Sequence, residues 1–82
     1  MTHRVYVLRN HENSLNIGLS EDVEKRLVQH NDGISKWTAK HRPWSLVWTS
    51  GFLSLSEARK LENLLKRQKG GQGFCNLTGL AH

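Results

Sequence analysis

The chain has 82 residues, which leaves room for one domain spanning 1–82, and its hydrophobic content of 37% supports a single thin core. Twelve Lys and Arg against seven Asp and Glu give a formal net charge of +5. A basic balance favours an anionic partner, with nucleic acid first among the candidates. The alternative is a basic surface that only keeps the protein soluble, because charge does not specify chemistry.

A single cysteine, Cys75, excludes an intramolecular disulfide and a cysteine-based zinc site. The fold must therefore be held together by packing, which fits a reducing compartment. The sequence has no apolar stretch long enough for a signal peptide or a membrane span. We expect a soluble cytoplasmic protein with no membrane partner.

The first predicted element is a β-hairpin. Residues 4–8 are rich in β-forming side chains, and residues 15–19 contain a second set of alternating apolar side chains. The polar stretch 10–14 between them is typical of a turn.

A helix is predicted after the hairpin. Ser20 is the expected capping residue, and Glu21 and Asp22 suit the positive end of the helix dipole. Val23 and Leu27 supply a narrow apolar stripe, and the helix is predicted to run through His30. Asn, Asp and Gly follow directly and predict its end.

Residues 33–43 have neither helical nor alternating apolar spacing, which predicts a surface loop. The loop is basic and is expected to contact phosphates through Lys36, Lys40, His41 and Arg42. The alternative for His41 is an incidental surface histidine. A third strand is predicted over residues 44–48, where Trp44 and Trp48 are at strand spacing and are expected in the core.

Ser54 and Glu57 form a capping box at the start of a second helix. The apolar residues that follow recur at helical spacing up to Lys66 and Arg67. Three glycines then predict an irregular Gly-rich tail from about residue 69, with Phe74 and Leu77 packing back on the core. The element order predicts an α+β fold, a small, mostly antiparallel three-stranded sheet flanked by helices, with one sheet face open.

Five short motifs follow one another in a specific order and spacing. They are Val5-Tyr6-Val7, Asn16-Ile17-Gly18, Asp22 to Arg26 with His30, Lys36-Trp37-Thr38 before His41 to Val47, and Ser56-Glu57-Ala58 before Leu61-Glu62. Together they resemble the GIY-YIG nuclease family, in particular its short stand-alone bacterial branch, over about residues 4–67. The resemblance implies a three-stranded antiparallel sheet and hydrolysis of a DNA phosphodiester with one divalent metal, Mg²⁺ or Mn²⁺.

Glu62 is the candidate metal ligand. It lies four residues after Ala58 and three before Leu65, which puts its carboxylate at the apolar face of the helix rather than squarely in solvent. The resemblance assigns the family's metal-binding glutamate to this position, and a carboxylate oxygen suits magnesium. The alternative is a helix-surface carboxylate paired with a neighbouring Lys or Arg.

The resemblance also implies roles for three further residues. Arg26 matches the catalytic arginine, whose planar fork can bind developing phosphate charge. His30, one helical turn later, matches a histidine that orients the tyrosine or moves a proton. Tyr6 matches the tyrosine that positions the attacking water. The alternatives are an exposed ion-paired arginine, a histidine that binds helix carbonyls and a packing tyrosine.

The sequence departs from the family pattern at Asn16, where the second triplet normally has a tyrosine. An asparagine side chain still donates and accepts hydrogen bonds to a water or phosphate, but it is shorter and is no general base. The resemblance implies a DNA endonuclease acting on branched or damaged DNA in repair or recombination. It would act weakly on its own or be delivered by a targeting protein. The alternative is a catalytically silent nucleic-acid-binding module of the same fold.

Overall fold

The computed structural model describes residues 2–32, 40–68 and 72–79. The elements follow in the order β1 (Arg4–Asn10), β2 (Leu15–Ser20), α1 (Val23–Asn31), β3 (Trp44–Thr49), α2 (Leu55–Gln68) and α3 (Gln72–Thr78). The three strands form one sheet in the order β2-β1-β3, and both pairings are antiparallel. The predicted α+β class and sheet are confirmed. No helix in these ranges is long and apolar enough to span a bilayer.

The central strand β1 is buried on both of its faces. Val5 and Val7 pack with residues of α2 and α3, including Ala58 and Phe74. The alternate residues of β1 pack against α1 and the start of β3, in the cluster Tyr6, Leu8, Val23 and Trp44. Because side chains alternate along a strand, helices on both sides produce four consecutive buried residues in β1. The expectation of an open sheet face is therefore wrong at β1.

Asn10 is a buried polar residue that organises the hairpin end of the sheet. Its Oδ1 accepts from the backbone N–H groups of Glu12, at 3.0 Å, and Ser14, at 2.9 Å. Its Nδ2 donates to the carbonyl of His41 at 2.9 Å. One side chain thus holds the β1–β2 turn and also attaches the segment before β3 to it.

The start of α1 corrects one sequence prediction. Asp22, not Ser20, caps the helix, since its Oδ1 accepts from the backbone N–H of Lys25 at 3.0 Å. Ser20 is still the last residue of β2, where it pairs with Arg4. Its hydroxyl bonds to the backbone of Asp22 instead, so it shapes the turn between the strand and the helix.

The C-terminal end of α1 is tied to the start of β3 by Asn31. Its Oδ1 accepts from the backbone N–H of Trp44 at 2.6 Å, and its Nδ2 donates to the Trp44 carbonyl at 3.1 Å. Trp44 is buried as predicted, and Trp48 packs at the edge of the core. Lys40 and His41 have helical backbone, so the predicted loop is wrong at these two positions.

The predicted capping box begins α2. The Ser54 hydroxyl accepts from the backbone N–H of Glu57 at 3.2 Å and donates to the Glu57 carboxylate at 2.9 Å. Ala58 and Leu65 point into the core with no exposed surface. The apolar spacing read from the sequence therefore identified the buried face of this helix.

The end of the chain differs from the predicted irregular tail. Residues 72–78 form the helix α3, and Phe74 at its centre is 1% exposed in the main core cluster. Leu77, which was also expected to pack, is 41% exposed. Glycine destabilises a helix by about 1 kcal/mol through its low helix propensity. Burial of one large aromatic ring stabilises the fold by more than that cost.

Replacing Phe74 tests whether α3 is part of the core. We expect Phe74→Ala to lower the free energy of unfolding by about 3–5 kcal/mol, because it empties a buried aromatic site. Leu77→Ala on the same helix is the matched control and should cost under about 0.5 kcal/mol. Urea unfolding followed by tryptophan fluorescence measures both, and equal losses for the two variants would contradict the docking of α3.

Candidate active site

Tyr6 lies across the hairpin on the α1 side of the sheet. It pairs with Gly18 in the β1–β2 register and is 3% exposed. A Cβ atom at Gly18 would lie 2.5 Å from the Tyr6 hydroxyl oxygen and 2.7 Å from the ring carbon that bears it. Only glycine therefore leaves room for the phenol at this place. The last residue of the second triplet has a direct steric reason to be glycine.

The Tyr6 hydroxyl is bound to His30 in the last turn of α1. The distance between Oη and Nε2 is 3.1 Å, and the imidazole is buried, with 7% of the residue exposed. The two rings are tilted by 57° with their centroids 6.1 Å apart, so the contact is edge-directed rather than stacked. The hydrogen bond satisfies a phenol that burial has removed from water.

The electrostatics of the phenol involve residues from two helices. Burial is the largest influence and raises the pKa of Tyr6 above its ordinary value. Hydrogen bonding and the positive charge of Arg26 lower that pKa in part, and the carboxylate of Glu62 raises it. The fold thus brings Arg26 on α1 and Glu62 on α2 close enough to act on the phenol, which stays neutral at neutral pH.

His30 is also held in its neutral form. Burial lowers its pKa below the usual histidine value, and the nearby positive charge of Arg26 lowers it further. The Tyr6–His30 hydrogen bond therefore joins two neutral groups at neutral pH. A neutral imidazole has one ring nitrogen free to accept a proton, and the proton's position in the pair follows from the tautomer.

Arg26 is exposed and lies one helical turn before His30. Its Nη1 donates to Oε1 of Gln29 at 3.0 Å, a contact between positions three apart on α1. Among the described residues no carboxylate pairs with Arg26, so its charge is available to an anion. Sequence reasoning missed Gln29, although the spacing of three was there to indicate it.

Glu62 occupies a half-buried position on α2. Its side chain is 19% exposed, and Oε2 lies 3.4 Å from Nζ of Lys66, one turn later on the helix. Glu62 thus fits both sequence-based descriptions. Its carboxylate lies beside the apolar face of the helix, and it is also paired with a neighbouring lysine. An ion pair with a half-exposed lysine is weak and exchanges readily with water or another cation.

Asn16 lies on the same sheet face as Tyr6. Asn16 lies in β2, two residues before Gly18, and pairs with Leu8 of β1. It is half-buried. Within the ranges that the structure describes, its amide forms no side-chain hydrogen bond, so the amide is open to a bound group. Asn16, which differs from the family pattern, therefore lies on the sheet face that carries the phenol.

Of the four basic residues expected to contact DNA, Lys40, His41 and Arg42 are described and Lys36 lies outside the described residues. His41 is half-buried, with Nδ1 3.3 Å from a carboxylate oxygen of Glu12. Arg42 donates to the carbonyl of Asn31 at 3.2 Å. Because Asn31 follows His30 directly, this basic segment adjoins the end of α1 that carries the imidazole.

Comparison with protein families gives a match between residues 2–74 and the GIY-YIG catalytic domain. The chain belongs to the GIY-YIG catalytic-domain family. This is a nuclease-type family, and its domain implies a nucleic-acid substrate. The match covers all of β1, β2, α1, β3 and α2, which together carry the residues around the phenol.

Several relatives are UPF0213 proteins. One from Streptococcus pneumoniae is 40% identical over 75 residues, which cover 88% of this chain and 76% of that protein. Another, from Staphylococcus saprophyticus, is 39% identical over 71 residues, which cover 82% of this chain and 87% of that protein. A solution NMR structure of a UPF0213 protein from Bacillus halodurans has a TM-score of 0.52 and 30% identity, covering 99% of this chain and 98% of the other. The GIY-YIG chain thus has relatives of similar length.

Gly18→Ala tests the packing of the phenol. We expect the added methyl group to displace Tyr6 and lower the free energy of unfolding by about 1–3 kcal/mol. Tyr6 is the only tyrosine of the chain, so absorbance titration reports it alone, and its raised pKa should fall towards the ordinary value. Gly51→Ala is the control, since nothing lies within 4 Å of a Cβ there. An unchanged phenol titration in Gly18→Ala would contradict this packing.

The buried neutral histidine predicts a pH dependence of stability. Since the pKa of His30 is lower in the folded chain, the unfolded chain binds this proton more readily. The His30 contribution is therefore complete above the unfolded pKa of about 6.5 and is lost as pH falls through 6.5 towards the folded pKa. The free energy of unfolding, measured with urea between about pH 5 and pH 8, should depend less steeply on pH in His30→Gln than in wild type. His11→Gln, at an exposed histidine, should keep the wild-type slope.

Proposed function

We propose that this GIY-YIG chain is an endonuclease that hydrolyses DNA phosphodiesters at the surface around Tyr6, Arg26, His30 and Glu62. The observation that carries the proposal is the Tyr6–His30 hydrogen bond of 3.1 Å, with Arg26 and Glu62 acting on the same phenol. Three separate elements supply these side chains, and among the described residues Arg26 has no carboxylate partner. The convergence of a phenol, a guanidinium and a carboxylate is typical of a functional site.

In the proposed reaction, Arg26 binds the non-bridging oxygens of the scissile phosphate. Its guanidinium offers paired donors to an oxyanion and keeps its charge at every working pH. The exposed position on α1 allows a phosphate to approach, and Gln29 holds the guanidinium in orientation through the 3.0 Å hydrogen bond. Extra negative charge on the phosphate during attack is stabilised by this residue more than the ground state is.

The Tyr6–His30 pair is proposed to orient the attacking water and remove its proton. The water donates to the Tyr6 oxygen while the phenol proton passes to Nε2 of neutral His30. The resulting hydroxide attacks phosphorus, the bond to the 3′-oxygen breaks, and that oxygen takes a proton from solvent. Both groups begin neutral, as the raised pKa of Tyr6 and the lowered pKa of His30 require.

Glu62 would hold the divalent cation, Mg²⁺ or Mn²⁺. A carboxylate oxygen is the hard ligand that these ions prefer, and the weak pair with Lys66 can be exchanged. The described residues contain no group of three or more His, Cys, Asp or Glu side chains, so water and phosphate oxygens would complete the coordination shell. An ion held there would supply Lewis acidity to the reaction.

The biological setting is part of the same proposal. The ranges that the structure describes form one sheet with its helices and contain no separate base-reading module. A substrate recognised by shape, such as branched or damaged DNA, suits such a domain better than a defined sequence. We therefore propose that 1–82 acts as one structure-directed nuclease domain in DNA repair or recombination, with a targeting protein supplying localisation.

A second candidate is a binding module without catalysis, and Asn16 favours it. The residue stands where the family's second triplet has a tyrosine, and its side chain is shorter and cannot serve as a base. A fold can keep its nucleic-acid surface after losing one catalytic group. This candidate predicts binding of DNA with no metal-dependent cleavage.

Nicking of supercoiled plasmid and of branched DNA in Mg²⁺ or Mn²⁺ tests the proposal. We expect Arg26→Ala and Glu62→Gln each to lower the rate at least about 100-fold, since each removes a charge that acts on the transition state. The charge-matched controls are Lys25→Ala, beside Arg26, and Glu24→Gln, an exposed carboxylate of α1 away from Glu62. Both should keep at least half of the rate. Cleavage that survives both site changes would refute the proposed site.

The Asn16→Tyr variant separates the two candidates. Cleavage by wild type that increases in this variant supports a slowed enzyme. Cleavage only in the variant identifies a silent module that keeps the rest of the site. Binding of DNA by wild type and variant, with no cleavage by either, refutes the endonuclease proposal in favour of the binding module.

A further inference from the structure

The solvent side of α2 carries a row of exposed polar residues that the proposed reaction does not use. Residues three and four apart on a helix share one face. On α2 that spacing places six exposed residues together, here called the outer face: Ser56, Arg59, Lys60, Asn63, Lys66 and Arg67. A shallow depression lined by Leu55, Ser56, Arg59, Lys60 and Asn63 runs along it.

The outer face carries charge of one sign only. It holds four cations and no carboxylate, while the two acids of α2, Glu57 and Glu62, lie on either side of it. Within the described part of the chain Lys66 pairs with Glu62, and Arg59, Lys60 and Arg67 form no ion pair. Solvated helix faces usually alternate the two signs and gain stability from pairs four residues apart. A face of like charges costs folding energy through repulsion, which a bound anion would remove.

The outer face begins beside the candidate active site. Lys66 connects the two, because its Nζ lies 3.4 Å from the Glu62 carboxylate. From Arg59 to Arg67 the helix rises by about 12 Å, at about 1.5 Å for each residue. One DNA strand advances about 3.4 Å along the duplex axis for each nucleotide, so a face of this length can contact more than one phosphate. The outer face is therefore long enough to bind a stretch of nucleic-acid backbone that leaves the site.

We propose that the outer face of α2 binds the phosphate backbone of the duplex arm that flanks the cleaved phosphodiester. This inference rests on the proposed function and extends it to a second contact surface beside Glu62. Contacts to phosphates position a substrate without reading its bases, which agrees with recognition by shape. The duplex arm is held by Arg59, Lys60 and Arg67, and Asn63 between them donates to the same backbone.

The test is the salt dependence of binding to a fluorescent 30-base-pair duplex and to a branched DNA, measured by anisotropy without divalent metal. The slope of log affinity against log salt is negative, and each lost phosphate contact reduces its magnitude by about 0.9. We expect Lys60→Gln/Arg67→Gln to reduce that magnitude by about 1.8 and to weaken binding more than about tenfold at low salt. Thr2→Glu/Leu77→Glu gives the same net charge by changing exposed residues of other segments and should alter the slope by less than half as much.

A gain-of-charge variant guards against misfolding of the loss variant. Asn63→Lys adds a cation to the outer face, and we expect the magnitude of its salt slope to increase by about 0.9. Equal slopes for the loss variant and its charge-matched control, together with no gain in Asn63→Lys, overturn the inference while leaving the endonuclease proposal intact. Conversely, the expected slope changes in a protein that cleaves no DNA refute the endonuclease proposal and keep the outer face as part of a binding module.

Discussion

The position of one phenol constrains the rest of this structure. Tyr6 is buried at the centre of the sheet, and its ring fits only because Gly18 on the neighbouring strand has no side chain. Its hydroxyl needs a hydrogen-bond partner there, and His30 supplies one from α1. The register of the hairpin, the rotation of α1 about its axis and the burial of an imidazole all follow from that pair. A shift of one residue in the hairpin would move Tyr6 out of its place over Gly18 and remove the pair altogether.

The same pair explains how charge is distributed around the site. Burial keeps the phenol and the imidazole neutral, so the positive charge of Arg26 has no buried anion to neutralise it. The Glu62 carboxylate is the nearest negative influence on the phenol, and it comes from the helix on the other side of the sheet. In the proposed reaction Arg26 would bind the phosphate and Glu62 would hold the metal ion. Because the Tyr6–His30 pair is neutral, it compensates neither of these two charges.

Two asparagines arrange the basic segment that adjoins this site. Asn10 at the hairpin end binds the carbonyl of His41, and Asn31 at the end of α1 binds both backbone groups of Trp44. The chain that enters β3 is therefore fixed at both sides by side-chain amides. Asn31 follows His30 directly, so this attachment lies beside the turn of α1 that carries the imidazole.

The amino-acid pattern was enough to predict the fold class, the three strands, the capping box at Ser54, the buried face of α2 and the family. These features depend on spacing along the chain. The pattern also named Tyr6, Arg26, His30 and Glu62 as candidates, and their catalytic roles stay predictions. Tertiary contacts determine which residue caps α1, because Ser20 is held in β2 by its pairing with Arg4. They also stabilise the helix of residues 72–78, where burial of Phe74 outweighs the low helix propensity of the nearby glycines. The tertiary structure alone showed why position 18 is glycine and which charges act on the phenol. These features depend on residues distant in sequence, whose burial and electrostatic coupling no local pattern encodes.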